Sequence, residues 1–168
     1  LENKFIVSYM GTFGLSHNLS NAIEAARIVK SDDIHFLFLG DGAEKKKIKD
    51  LARSLGADNV HFFDPVQRKE LTKYWAITNV GLVHLKNDPA FSSVIPSKIF
   101  ETMAVGVPIV YSGPASDGSE LIKLHNSGLI AKPDSPEDLA RKIVYLKNNA
   151  DDYRELAKNG KNASREYS

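Results

Sequence analysis

Phe5-Ile6-Val7-Ser8-Tyr9-Met10-Gly11-Thr12-Phe13-Gly14 is the stretch on which the fold turns. A short apolar run that stops at glycines reads as a buried strand, broken at Gly11-Thr12-Phe13-Gly14. From Asn18 to Lys30 the period changes: Leu19, Ile23, Ala26 and Ile28 fall near one helical face. Ile34 to Leu39 is a second strand, ended by Gly40-Asp41-Gly42. Strand, helix, strand in immediate succession is a crossover unit, and crossovers build parallel sheets.

The same alternation runs outward to the end of the chain. Ala43 to Leu55 reads as a helix with a charged outer face (Glu44, Lys45, Lys46, Lys47, Lys49, Asp50), capped by Gly56. Val60 to Phe63 is a strand closed by Pro65; Lys69 to Ala76 is a short helix; Val80 to Leu85 is a fourth strand. After an irregular stretch, Lys86 to Pro96, the spacing predicts a helix over Ser97 to Ala104, ended by Gly106, and a strand over Pro108 to Tyr111. Helix Asp117 to Leu124 and strand Gly128 to Ile130 follow. Ser135-Pro136-Glu137-Asp138 is a helix start with Ser at the N-cap, Pro at the first helical position and acids in the first turn. That helix reaches about Asn148, and a last one covers Asp151 to Lys161. The expected fold is α/β: a Rossmann-like, three-layer domain, its parallel sheet covered by helices on both faces. Ligands in such sheets sit at the carboxyl ends of the strands, where the strand order reverses.

Bulk properties narrow the classes. The 168 residues suit one domain over 1–168. Lys/Arg and Asp/Glu nearly balance, for a net charge of +1, which gives no nucleic-acid footprint. Without cysteine there is no disulfide or thiolate metal site, and a reducing compartment fits. No apolar run approaches the roughly 18 residues that span a bilayer. Leu1-Glu2-Asn3-Lys4 leads straight into the first strand with no signal peptide, and the missing Met suggests a piece of a longer protein.

Three stretches could carry chemistry. Gly11-Thr12-Phe13-Gly14 stands between a strand and a helix, where glycines admit a ligand to the backbone and the helix N-terminus favours phosphate; a tight turn that serves only packing is the alternative. It matches neither G-x-G-x-x-G nor a P-loop. Gly40-Asp41-Gly42 reads first as turn chemistry. Most informative is Phe91-Ser92-Ser93-Val94-Ile95-Pro96-Ser97-Lys98-Ile99-Phe100-Glu101-Thr102-Met103-Ala104-Val105-Gly106-Val107-Pro108. Lys98 falls in the first turn of a helix, an unfavourable place for a cation unless an anion joins it. Glu101, three residues on, shares its face. A diphosphate at Ser97 and Lys98 with a ribose diol at Glu101 would use both; an exposed Lys98–Glu101 pair of little energetic worth is the alternative.

The five histidines show no metal-ligand spacing. His17, beside the first glycine turn, and His84, ending the fourth strand, are candidates to reach the cleft. Tyr74 and Trp75 read as packing residues, and Lys45-Lys46-Lys47 as a solvated face that could touch an anionic membrane.

With these residues in view, the chain resembles the C-terminal, donor-binding domain of a GT-B glycosyltransferase from the large retaining family four (group 1), and within it a bacterial surface-polysaccharide subgroup. The resemblance covers nearly the whole chain. The subgroup's marker is Pro-Ser-Lys-(Ile/Leu)-(Phe/Tyr)-Glu, then Met-Ala and Gly-x-Pro, here Pro96 to Glu101, Met103-Ala104 and Gly106-Val107-Pro108. It implies that Glu101 binds the ribose hydroxyls, that Gly11, Thr12, Phe13 and Gly14 face the donor diphosphate with Ser97 and Lys98, and that Asp64, Pro65 and Val66 hold the base. Ser92, Ser93 and Val94 then border the donor sugar. Ser93 stands where the family has its first glutamate, and Thr12 and Asn18 where an Arg and a Lys are common, leaving Lys98 as the substitute cation.

The resemblance further implies a cytoplasmic enzyme, at the inner face of the membrane if the basic run touches it. It would transfer sugar from a UDP-linked donor to a saccharide or lipid-linked acceptor of the cell envelope. No metal or cofactor is expected, no catalytic residue can be named, and the N-terminal acceptor domain is absent from the chain. Two other readings stand beside it: a GT-B-shaped sugar-nucleotide epimerase domain, and a non-catalytic α/β partner-binding domain.

Overall fold

The computed structural model describes residue 1 and residues 3–167. Glu2, in the lead-in to the first strand, and Ser168 lie outside the described residues. The order is β1 (Phe5–Met10), α1 (Leu19–Ile28), β2 (Ile34–Leu39), α2 (Lys45–Ser54), β3 (Val60–Phe63), α3 (Leu71–Ile77), β4 (Val80–His84), α4 (Ser97–Ala104), β5 (Ile109–Ser112), α5 (Asp117–His125), β6 (Gly128–Ala131), α6 (Pro136–Asn148) and α7 (Ala150–Ser164). The predicted units are all present. The largest difference lies after the first glycine turn, where a short 3-10 turn at Leu15–His17 precedes α1. Asn18 then takes φ 49, a left-handed conformation that asparagine tolerates. The helix read from Asn18 therefore starts at Leu19, one residue later.

All six strands are parallel, in the order β3-β2-β1-β4-β5-β6. The chain winds outward from β1 through β2 to β3, returns to β4 on the other side of β1, and winds out again. The reversal falls between β1 and β4, so loops after those strands diverge to opposite faces and leave a crevice at their carboxyl ends.

Alternation along the strands makes two cores. Val7 and Tyr9 of β1, Ile34, Phe36 and Phe38 of β2, Leu82 of β4 and Val110 of β5 face α1, α2 and α6, meeting Ile23, Ala26, Ile48, Ala52, Leu139 and Ile143. On the other face Ile6, Leu37 and Leu39 pack with Leu71 and Tyr74 of α3. Val83, Ile109 and Tyr111 pack with Ile99 and Met103 of α4 and Ile122 of α5. Each large side chain so buried contributes about 1.5–3 kcal/mol. Ser135 caps α6 as the sequence predicts, accepting from the Asp138 N–H at 3.1 Å.

Glycine at 81 decides where α4 lies. A Cβ there would stand 2.4 Å from Cγ2 of Thr102, so β4 admits α4 closely only because it has none. Thr102 is also anchored within its helix, its hydroxyl donating to the Lys98 carbonyl at 2.6 Å.

Candidate functional site

Two glycine turns interlock at the carboxyl ends of β1 and β2. The Gly11 N–H donates to Leu39 O at 3.0 Å, the Phe13 N–H to Asp41 O at 3.0 Å, and the Glu44 N–H to Phe13 O at 2.8 Å. Gly40 and Gly42 have φ 149 and 153, and a Cβ on either would meet the backbone of Gly11 or Phe13 at 1.8 and 2.7 Å. Gly40-Asp41-Gly42 is thus more than a turn: it is the surface on which the first turn rests.

Beside these turns lies a cleft of about 400 Å³. Met10, Gly11 and Thr12 form part of its wall, the Leu39–Asp41 turn another part, and Pro65, Val66, Leu71, Trp75 and Glu101 the rest. Elements far apart in sequence thus meet at one place: the first glycine turn, the segment after β3, and α4. Asp64 differs from Pro65 and Val66. Its side chain is exposed and turns to Lys45, with Oδ1 accepting from Nζ at 3.1 Å.

Lys98 reaches Gly11 from the first turn of α4. A Cβ added to Gly11 would stand 2.6 Å from Lys98 Nζ, and that ammonium sits 3.9 Å from the centre of the Tyr9 ring. Among the described residues no carbonyl, carboxylate or hydroxyl accepts a hydrogen bond from it. Burial lowers its pKa to about 8, while Glu101 pulls the other way. A half-buried cation with only a ring face beneath it is costly unless an anion arrives.

Phe13 departs from the expectation that it faces the diphosphate. Its ring is fully buried against Tyr9, Phe38 and Phe62, and its N–H and carbonyl are both taken by the second turn. The Gly11 N–H is likewise taken. Of the four residues, only Thr12 and Gly14 keep an N–H that no described residue accepts. Val94 also departs: it is half-buried and packs on the core beneath α5, leaving Ser92 and Ser93 exposed. Ser92 is tied down through its carbonyl, which accepts from the Asp117 N–H at 2.8 Å. Ser97 is exposed at the start of α4.

Lys45 corrects the solvated-face reading. It is 8% exposed, and its Nζ donates to Gly40 O at 2.6 Å, Phe63 O at 3.3 Å and Asp64 Oδ1 at 3.1 Å. Lys46, Lys47 and Lys49 remain outward. Position 45 turns inward because it shares the helical face of Ile48 and Ala52, a phase the run of three lysines hides.

His84 does not reach the cleft. It is 1% exposed, burial lowers its pKa to about 4, and its ring is held by the Leu15–His17 turn and Asn21 of α1. Burial, and next the charge of Lys98, hold His17 below its ordinary value too. Asn18, at a position where the resemblance expects a cation, donates instead to Asp134 at 3.1 Å. Among the described residues no group of three or more His, Asp or Glu could hold a metal ion, and no helix is long and apolar enough to cross a membrane. Asp41, read as turn chemistry, and Trp75, read as packing, both line the cleft, and Leu39 and Leu71 are cleft residues the sequence did not single out.

Known proteins share this chain's sequence pattern and its fold. The family model described as Glycosyl transferases group 1 matches residues 1–163. WcaI of Escherichia coli strain K12, named for glycosyl transfer in colanic acid biosynthesis, is 32% identical over 116 residues, 68% of this chain and 28% of WcaI. WbjE of Pseudomonas aeruginosa, named as a glycosyltransferase, is 27% identical over 143 residues, 84% of this chain and 36% of WbjE. The chain thus spans only a minor part of these relatives. Among solved structures, the catalytic domain of the cholesterol-alpha-glucosyltransferase from Helicobacter pylori matches with a TM-score of 0.79 at 25% identity, over 98% of this chain and 99% of that one. Anabaena HepE in complex with UDP-glucose shares the fold, with a TM-score of 0.83 at 18% identity over 98% of this chain and 44% of the other. The fold is one half of the GT-B architecture, and the chain belongs to the glycosyl transferases group 1 family.

Proposed function

We propose that this chain is the donor-binding half of a retaining GT-B glycosyltransferase and holds a nucleoside-diphosphate sugar, UDP-linked, for transfer to a saccharide or lipid-linked acceptor of the cell envelope. The observation that carries the reading is the Lys98 ammonium, set against Gly11 of the cleft wall with no acceptor among the described residues. A diphosphate there takes the charge of Lys98 and the N–H groups of Thr12 and Gly14. The ribose reaches Glu101, whose carboxylate accepts from its hydroxyls. The base lies along Pro65 and Val66, with the donor sugar toward Ser92 and Ser93. As the glycosidic bond breaks, negative charge grows on the leaving diphosphate, and fixed donors aimed at that position lower the barrier.

No general base is assigned to this chain, and the acceptor half is taken to lie elsewhere in the intact enzyme. No metal is assigned, because Lys98 supplies the positive charge that the leaving group needs. The enzyme works in the cytoplasm in this reading, and Lys46, Lys47 and Lys49 are the residues that would meet an anionic inner membrane surface. HepE has been solved with UDP-glucose, which suggests the same donor class here.

The test is titration of this chain with UDP and UDP-sugars beside a turnover assay. The expected outcome is saturable UDP binding without transfer. Transfer by this chain alone would overturn its assignment as half an enzyme, and absence of any nucleotide binding would overturn the donor site itself.

A further inference from the structure

The first glycine turn is held from behind by two histidines that exchange hydrogen bonds. His84, the last residue of β4, donates from Nδ1 to the carbonyl of His17 at 2.7 Å. His17 donates from its own Nδ1 to the carbonyl of His84 at 3.3 Å. A carbonyl only accepts, so both rings carry the proton on Nδ1, and each Nε2 is left as an acceptor. The Nε2 of His84 accepts from Asn21 of α1 at 2.8 Å, and that of His17 accepts from the Thr12 hydroxyl at 2.9 Å. A parallel bond from the Lys86 N–H to Ser16 O, at 2.7 Å, fastens the same two segments.

Thr12 is therefore gripped twice, by His17 at its hydroxyl and by the Tyr9 phenol, which donates to its carbonyl at 2.6 Å. Tyr9 in turn lies under Lys98. Every ring nitrogen of the two histidines is used by the protein, so neither is free to bond a ligand as built. Their exchange spans the reversal between β1 and β4, and it acts on the turn whose Thr12 and Gly14 N–H groups no described residue accepts.

We propose that His17 and His84 are positioning residues: a reciprocal lock that pre-sets Thr12 and Gly14 to receive the donor diphosphate. This inference rests on the donor-site reading above. A turn held in its bound geometry loses less freedom when the anion docks, so the lock acts on the diphosphate part of the ligand and not on the nucleoside. The asparagine at 21 completes it by satisfying the buried His84 Nε2.

The test compares UDP with uridine by NMR titration of the whole chain, following the amide signals of Thr12 and Gly14. In the wild type UDP should bind more tightly than uridine and shift both signals. In His17→Ala, a half-exposed site that leaves the core intact, and in His84→Leu, UDP affinity should fall about tenfold or more while uridine affinity stays within twofold. His84→Asn, which places an amide donor near the Nδ1 position, should recover most of the UDP affinity. If folded His17→Ala keeps the wild-type ratio of UDP to uridine affinity, the lock is refuted; its smaller buried surface keeps this arm decisive should His84→Leu fail to fold. If the wild type binds neither ligand, the donor-site reading fails instead.

Discussion

Lys45 and Lys98 each reach a glycine of the same cleft wall, Gly40 and Gly11, and live in opposite circumstances. Lys45 lies beneath it, buried, its three N–H donors met by two backbone carbonyls and a carboxylate. It ties the loop after β2 to the loop after β3. Lys98 lies beside Gly11, over the Tyr9 ring, with no acceptor among the described residues and its pKa lowered to about 8 by burial. A satisfied buried cation is structural, and removing this one strands the Gly40 carbonyl. An unsatisfied one is a cost to the empty protein, which an anionic ligand relieves. The proposed donor site rests on this difference.

The comparison can be broken first through pH. Lys98 has a folded pKa of about 8 and an ordinary unfolded value near 10.5. Between those values the unfolded chain holds the proton and the folded chain does not, so stability rises with pH there. Below pH 8 the full penalty applies. Relative to Lys98→Met, wild-type stability should gain about 3 kcal/mol from pH 8 to 10.5, read by chemical denaturation of both chains. A constant difference across that range would mean that Lys98 is not held as a desolvated cation.

Next comes Lys45→Met, which keeps the stem and removes the donors. Stranding the Gly40 carbonyl, while Phe63 O keeps the Gly40 N–H, should cost about 2 kcal/mol of stability, measured by urea unfolding. A neutral outcome would place Lys45 with its solvated neighbours after all. A smaller effect is expected at the ribose: Glu101→Gln should lower UDP affinity about tenfold with an unchanged Tm, and make UDP and 2′-deoxy-UDP bind alike by calorimetry. The smallest is at the outward lysines, where Lys46→Gln should change stability by no more than about 0.5 kcal/mol.

Much of the architecture was legible because strand and helix periods differ so plainly between Phe5–Met10 and the helix after it, and because the α6 start is written in Ser135 and Pro136. The convergence of Gly11, the segment after Asp64, and Glu101 could be anticipated from the rule that ligands sit at carboxyl ends of parallel strands. What the sequence hid were directions. Lys45, Lys46 and Lys47 are one run of letters, and only helical phase against Ile48 and Ala52 turns the first of them inward. Phe13 stands within a phosphate-type turn yet spends its ring on the core and its backbone on Asp41 and Glu44. His84 looked like a cleft residue, since strand ends point there; the Leu15–His17 turn, invisible to periodicity because it is a single 3-10 turn, covers it.

The most direct measurement is the Tm of Lys98→Met against wild type, each with and without saturating UDP, at neutral pH. Without ligand the variant should melt higher than wild type, because a desolvated charge has been removed. With UDP the order should reverse, since the wild type alone gains a charged partner for the diphosphate. A variant that melts lower in both conditions, or that is stabilised by UDP as much as the wild type, would contradict a cation kept waiting for an anion.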